Sequence, residues 1–190
     1  MTINGRAQYL PDDAGGARAR VFFALWPDEA VRASLARCAR DAQAECGGRA
    51  IRAEKIHLTL FFIGAIARER LAALETLALA VRAASFELQV NVLGYWRHNQ
   101  IVWAGARECP AALTSLVTVL SAGLAGEGIR SEERPYVPHI TLVRGATLAR
   151  ATRTAAPLTW RARDFVLVES VAARGGVSYE VRGRWPLCPL

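Results

Sequence analysis

Hydrophobic residues along this 190-residue chain alternate between strand-like and helix-like patterns. The segment RVFFALW at 20–26 predicts a strand. A helix should follow, because Val31, Leu35 and Cys38 recur at helical spacing until two glycines end the pattern. The segment KIHLTLFFIG then predicts a second strand that ends at Gly64.

The same rhythm recurs further along the chain. Residues 68–84 predict a helix, and FELQVNVLGYW and QIVWAGA predict two strands. A second cycle consists of a helix over about 110–125, a strand within RPYVPHITLVRG, a short polar and partly helical stretch, and strands near 163–172 and 176–184. Because no linker rich in proline or serine separates the halves, residues 20–190 should form one α+β unit of two similar lobes.

Composition limits the class of protein. A hydrophobic content of 52% supports a substantial core, yet no run approaches the ~18 apolar residues of a membrane span. Residues 1–19 are polar, lack the apolar centre of a secretory signal and predict a flexible tail. The four cysteines form no close pair, so reduced thiols and a cytoplasmic location are expected.

The net charge of +7 suits a partner rich in phosphate. Charge alone is a weak indicator here, because all basic residues except Lys55 are arginines spread along the chain. Arg37 and Arg40, for example, fall on a predicted solvated helix face.

Two copies of a short polar motif carry the chemical signal. His57 and Thr59 lie two residues apart in HLTL, and His139 and Thr141 repeat that spacing in HITL. Side chains two apart in a strand share one face, so each motif presents an imidazole and a hydroxyl together. If the two strands face one cleft, the histidines can act as general base and general acid, and the threonines can donate hydrogen bonds to a phosphate.

A lone histidine on a half-buried strand is more often structural than catalytic. Two motifs in corresponding strands reverse that expectation, since packing gives no reason to repeat both polar residues on one face. His98 is not part of a His-x-Thr motif and is interpreted as an exposed turn residue. The histidine spacing does not match a metal centre, so neither a metal nor another cofactor is expected.

These motifs resemble those of the 2H phosphoesterase superfamily, and within it the RNA 2',3'-cyclic phosphodiesterases, also called 2'-5' RNA ligases. The resemblance extends over about residues 20–187 and rests on these segments: RVFFAL, HLTLFFIG, IVWAGA, RPYVPHITLVR, FVLVES and YEVRGRWPL. It implies two pseudo-symmetric lobes, each an antiparallel sheet with helices on the outside, and an active-site cleft between them.

The resemblance also implies a reaction. A metal-independent enzyme of this kind opens a terminal 2',3'-cyclic phosphate of RNA to a 2'-phosphate, and in the reverse sense joins RNA ends through a 2'-5' linkage. By position, His57 is implied to be the proton donor and His139 the proton acceptor, with Thr59 and Thr141 holding the phosphate. The implied partners are RNA with cyclic phosphate ends, including tRNA fragments, or small cyclic nucleotides, bound by a monomer.

Arg144 corresponds to an arginine that often closes the second motif in this family. It lies an odd number of residues after His139, so on an ideal strand it points away from the histidine face. It reaches the phosphate only if the strand bends, bulges or ends at Gly145. Phe62 holds the matching place in the first motif, so the phosphate is expected to lean towards the second lobe.

Three aromatic residues, Phe22, Phe61 and Tyr136, are candidates for stacking a terminal base or walling the cleft. Two alternatives to an RNA end hydrolase stay open at this point. One is a non-catalytic module that binds RNA ends. The other is a 2H phosphodiesterase acting on another cyclic nucleotide or on 2'-5' oligoadenylate.

Overall fold

A computed structural model of the protein describes residues 17–130, 135–147, 153–174 and 176–189. Two single 3-10 turns, at Ala53–Lys55 and Arg68–Arg70, accompany the longer elements. In chain order, the strands and α-helices of this described part are β1 Arg18–Leu25, α1 Glu29–Cys46, β2 Arg49–Ala50, β3 Leu58–Ala67, α2 Leu71–Ala80, β4 Phe86–Trp96, β5 Ile101–Gly105, α3 Ala111–Gly126, β6 Ile140–Arg144, β7 Arg153–Ala162, β8 Asp164–Ala173 and β9 Gly176–Pro186.

The strands form one antiparallel sheet in the order β7-β4-β5-β6-β3-β1-β8-β9, with β2 added to β6. At its middle, β3 and β6 meet through a single register pair, Leu58 opposite Ile140. The sheet is therefore divided into a first lobe (β1, β3, β8 and β9) and a second lobe (β2, β4, β5, β6 and β7). The predicted α+β architecture with two lobes is confirmed. The lobes are not consecutive halves of the chain, because the last two strands return to the first lobe.

The helices cover the outer face of the sheet, and α1 and α3 each pack against the lobe that does not contain the strand before them. Helix α1 follows β1 but packs against β6, whereas α3 follows β5 and packs against β3. Leu35 of α1 and Leu116 of α3 are buried in the continuous core that results. The Asp28 side chain caps α1 by accepting a hydrogen bond from the Val31 amide at 2.9 Å. This packing leaves the opposite face of both central strands free for polar side chains.

A bulge interrupts β3 directly after the first motif. Thr59 and Phe61 lie opposite consecutive residues of β1, so Leu60 is an extra residue in the ladder. Leu60 and Phe61 are consequently both buried on the core side. The alternation then resumes with Phe62 facing the cleft, 39% exposed.

The same bulge occurs in β6. Thr141 and Val143 lie opposite consecutive residues of β5, and Leu142 between them is the extra residue. Leu142 and Val143 are both buried in the core. Arg144 is therefore turned to the same face as Thr141, although the parity of an ideal strand places it on the other face.

Some element bounds differ from those predicted. Strand β3 continues past Gly64 to Ala67. A second register shift places Gly64 opposite Val21, and its φ of +90° is one that glycine adopts readily. The pairing with β1 continues beyond this shift. Helix α2 is shorter than the predicted 68–84. Strand β1 begins at Arg18, inside the predicted tail, and residues 1–16 lie outside the described residues.

The partly helical stretch expected before the last two strands is instead a strand where the structure describes it. Strand β7 pairs with β4 at the edge of the sheet. Trp160 and Ala162 are buried while Thr159 and Arg161 are exposed, which is the alternation of a half-buried strand. Pro157 is tolerated because an edge strand has one unpaired side. Separately, no helix in the described ranges has both the length and the hydropathy to span a bilayer.

Candidate active site

A cleft of about 640 Å³ opens where β3 and β6 meet, and both motifs line it. His57, Thr59, His139 and Thr141 all face this space. The sheet brings them together because Leu58 and Ile140, the residues next to the two histidines, form the pair that joins the lobes. The alternation of each strand sends these apolar neighbours into the core and the motif side chains into the cleft.

The two imidazoles are held in the same way. His57 Nδ1 lies 2.7 Å from the Lys55 carbonyl oxygen, and His139 Nδ1 lies 2.9 Å from that of Val137. A carbonyl oxygen only accepts, so Nδ1 is the donor in both rings and Nε2 of the neutral ring is unprotonated. Within the described residues neither Nε2 has a partner, so both are available to a group in the cleft.

Aromatic rings surround His57. Trp26 stacks on it with ring centroids 5.7 Å apart, Phe22 packs at 4.9 Å and Tyr179 meets it edge-on at 5.3 Å. This burial lowers the pKa of His57 to about 4, with smaller contributions in the same direction from the charges of His139 and Arg144. His57 is therefore neutral at neutral pH in the protein alone.

His139 has a less enclosed setting. The Trp96 ring meets it edge-on with centroids 4.5 Å apart. Burial again lowers its pKa, and the nearby Arg144 guanidinium acts in the same direction. Both histidines consequently favour the neutral form until an anion enters, because a negative charge in the cleft stabilises the imidazolium form of each ring.

Arg144 lies at the cleft, as the bulge in β6 requires. Phe62 holds the matching place in the first lobe, and the Arg20 guanidinium lies over its ring, 4.8 Å from the centroid. The predicted chemical inequality of the two lobes is present in the structure: a cation follows the second motif where a phenyl ring follows the first.

The three aromatic candidates lie in three different places. Phe22 lines the cleft but is only 3% exposed, so it forms a wall beneath His57. Phe61 lies in the core, because the bulge in β3 turns it away and brings Phe62 to the surface instead. Tyr136 donates a hydrogen bond to the Thr59 carbonyl at 2.9 Å and is not part of the cleft lining. Burial raises the pKa of Tyr136, which keeps it a donor.

Sequence reasoning missed several residues in or beside the cleft. Trp26, which follows β1, and Tyr179, within β9, both contact His57; they lie far apart in the chain and left no local signal. Arg20, Arg49 and Arg52 also line the cleft but resembled the many other arginines. Lys55 lines it as well, and its status as the single lysine, two residues before His57, was an available indication. His98 is exposed in the turn after β4, as predicted, and does not line the cleft.

The protein has two antiparallel lobes, and the His-x-Thr motif of each lobe faces one cleft that is lined by cations. This is the architecture that the sequence predicted for a 2H phosphoesterase. A family model described as the 2'-5' RNA ligase superfamily matches residues 26–173. The chain belongs to the 2'-5' RNA ligase superfamily. The predicted family is thereby confirmed.

Curated relatives and solved structures agree with this assignment. The chain is 33% identical over 170 residues to the RNA 2',3'-cyclic phosphodiesterase of Escherichia coli, covering 88% of this chain and 96% of that protein. It is 30% identical over 181 residues to the enzyme of the same name from Thermus thermophilus, covering 88% and 90%. The crystal structure of E. coli LigT complexed with 3'-AMP superposes with a TM-score of 0.81 at 31% identity, covering 90% of this chain and 99% of that one.

Proposed function

We propose that this protein is an enzyme that hydrolyses the terminal 2',3'-cyclic phosphate of RNA to a 2'-phosphate. Relatives that cover nearly the whole chain are named RNA 2',3'-cyclic phosphodiesterases, and a related structure holds 3'-AMP. The observation that carries the proposal is the matched setting of His57 and His139. Each fixes Nδ1 on a backbone carbonyl and leaves Nε2 to the same cleft.

The reaction needs one proton removed and one delivered. His139 Nε2 accepts a proton from water as the water oxygen bonds to phosphorus. The bond between phosphorus and the ribose 3' oxygen breaks, and His57 in its imidazolium form donates its proton to that oxygen. The products are a 2'-phosphate and a 3'-hydroxyl, and the two histidines have exchanged protonation states. A 5'-hydroxyl of another RNA in place of water gives a 2'-5' linkage.

Fixed donors replace a metal ion in this proposal. Thr59 and Thr141 donate hydrogen bonds to the non-bridging oxygens, and the Arg144 guanidinium balances charge that develops in the transition state. Arg144 is the better placed of the cleft arginines because it follows the second motif in the same strand. We therefore expect activity without a metal or another cofactor.

The lowered pKa values of both histidines fit this scheme when substrate is included. The donor must be charged, and burial opposes that charge in the protein alone. The negative charge of the cyclic phosphate favours the imidazolium form, so binding and protonation of the donor are coupled. Because one chain supplies both motifs, we expect a monomer to be active.

A substrate panel tests the proposal. Purified protein is incubated with an RNA that ends in a 2',3'-cyclic phosphate, with cyclic mononucleotides and with 2'-5' oligoadenylate, each with and without EDTA, and products are identified by NMR. We expect a 2'-phosphate from the RNA and no inhibition by EDTA. Binding without turnover indicates the non-catalytic alternative. Loss of activity in EDTA that zinc or magnesium restores rejects the metal-independent mechanism.

A further inference from the structure

Three cations on the connection between α1 and β3 line one side of the cleft. We call Arg49, Arg52 and Lys55 the β2 strip, after the short strand in which it begins. Among the described residues, no carboxylate lines the cleft, and none of the three cations forms an ion pair. Their charges are therefore available to an anion that enters the cleft.

The sheet register places one of these charges beside Arg144. Arg49 lies directly opposite Arg144 in the antiparallel pairing of β2 with β6. Side chains in such a pair are about 5 Å apart at Cβ, and like charges there are destabilising. Anions bound beside these two guanidinium groups offset this repulsion.

The backbone holds this arrangement firmly. The Ile51 amide extends the pairing by donating to the Leu142 carbonyl at 2.7 Å. Gly48, with φ of +80°, allows the close approach, since a Cβ there lies only 2.7 Å from the Arg144 carbonyl oxygen. The Thr147 amide also donates to the Cys46 carbonyl at 2.9 Å. The backbone from which the β2 strip begins is thus firmly attached to the strand that carries the second motif.

The reacting phosphate does not need all of these cations. In the proposed function, Arg144 and the two threonines contact it, so the β2 strip is left for other anions. Arg49 and Arg52 have exposed side chains and line the cleft, and Arg49 lies opposite Arg144 in the sheet. In an RNA, the nearest further anions are the phosphodiesters on the 5' side of the terminal nucleotide.

We infer that the β2 strip binds internal phosphates of the RNA strand, so that the enzyme prefers an oligonucleotide with a cyclic phosphate end over a cyclic mononucleotide. This inference rests on the proposed function. Charged contacts to the backbone carry no base information, so the preference is for chain length and not for sequence.

The test compares two substrates in two matched variants. The Arg49→Ala/Arg52→Ala protein and the Arg37→Ala/Arg40→Ala protein each lose two positive charges, but the second pair lies on the exposed side of α1 and not in the cleft lining. For each we measure kcat/KM on a tetranucleotide ending in a cyclic phosphate and on the cyclic mononucleotide. We expect the ratio of the two values to fall about 10-fold to 100-fold in the strip variant only.

Salt dependence sharpens the result. Each lost phosphate contact to a single strand lowers the slope of log(kcat/KM) against log salt by about 0.7, so the strip variant should lose about 1.4 in slope on the tetranucleotide. An unchanged substrate ratio overturns the inference. So does an equal fall in the ratio of the α1 variant, because that result reflects overall charge.

A binding measurement separates this inference from the proposed function. Fluorescence anisotropy with a labelled RNA tetranucleotide that ends in a 3'-phosphate requires no turnover. Weaker binding in the strip variant than in the α1 variant supports the inference even if the protein hydrolyses none of the cyclic substrates. Equal binding by both variants overturns it, whatever the hydrolysis assay shows.

Discussion

The two lobes share a backbone plan and differ in what they offer to a ligand. Each has a strand in which His-x-Thr is followed by a bulge, and in each the histidine Nδ1 donates to the carbonyl of the second residue before it. In the first lobe the motif ends at Phe62 and its histidine lies among aromatic rings. In the second lobe it ends at Arg144, beside Arg49.

This difference shows how one duplicated scaffold can serve two roles in an acid-base reaction. Both rings have the same tautomer and the same approach to the cleft, so the backbone does not decide which one is acid. The residues that close the motifs differ instead, since Arg144, with Arg49 opposite it, closes the second motif and Phe62 closes the first. A phosphate should therefore lie closer to the second lobe, with its departing oxygen directed to His57.

Removing either histidine should give the largest effect. His57→Ala and His139→Ala should each lower kcat by about 10² to 10⁴, and the double variant should lose less than the product of the two. Folding, followed by circular dichroism, should be retained. His98→Ala, a histidine outside the cleft, should stay within a few-fold of the natural protein. Full activity in either motif variant excludes that histidine from the mechanism.

A modified substrate distinguishes the two roles. When sulfur replaces the 3' leaving oxygen, departure needs no proton, so this substrate should restore the rate of His57→Ala far more than that of His139→Ala. Equal rescue of both variants, or a 3'-phosphate product from the natural substrate, contradicts the assignment of donor and acceptor.

Substitutions of the residues that close the two motifs should lower kcat/KM by different amounts. Arg144→Ala should lower kcat/KM by about 10-fold to 100-fold, because it removes a charge that stabilises the transition state. Phe62→Leu, the matched change in the first lobe, should cost only a few-fold, because a wall of similar size remains. An unaltered rate in Arg144→Ala means that the guanidinium does not contact the reacting phosphate.

Substitutions of the two threonines should have smaller effects on the rate than the changes above. Thr59→Val and Thr141→Val keep the side-chain size while removing the donor, and a loss of about 10-fold is expected for a neutral hydrogen bond of ~1 kcal/mol or more. Thr141→Val should be the more damaging if the phosphate leans towards the second lobe. Steady-state kinetics with the cyclic substrate measure both values, and a larger loss in Thr59→Val reverses the inferred position of the phosphate.

The smallest expected effect is a shift in pH dependence. One histidine must be charged and the other neutral, and burial lowers the pKa of both, so the bell-shaped profile of kcat/KM for the free enzyme should be centred below pH 6.5. Binding of sulfate, which stays a dianion over this range, should tighten as pH falls from 6.5, because a bound anion raises the histidine pKa values that burial has lowered. Trp26→Ala, which opens the site to water, should move the acid limb upward. A profile centred at pH 7 or above opposes this account of burial.

Much of the site was predictable because it depends on local pattern. The period of two in a strand places His57 with Thr59 and His139 with Thr141 whatever the rest of the fold does. The alternation of apolar segments likewise predicted most helices and strands. The β7 segment was not predicted as a strand because Ala155, Ala156 and Pro157 do not favour one, and its pairing with β4 is not visible in the local sequence.

The sequence alone determined the two motifs, their order and the family to which the chain belongs, since these depend on residue types and spacing. Tertiary structure decided which side chains accompany them. Whether Phe61 or Phe62 faces the cleft, and whether Arg144 does, depends on bulges that arise where a strand meets its partner. Trp26, Tyr179 and Arg49 join the site only because distant strands pair there, and contacts of that kind are a property of the folded sheet and not of any local stretch of residues.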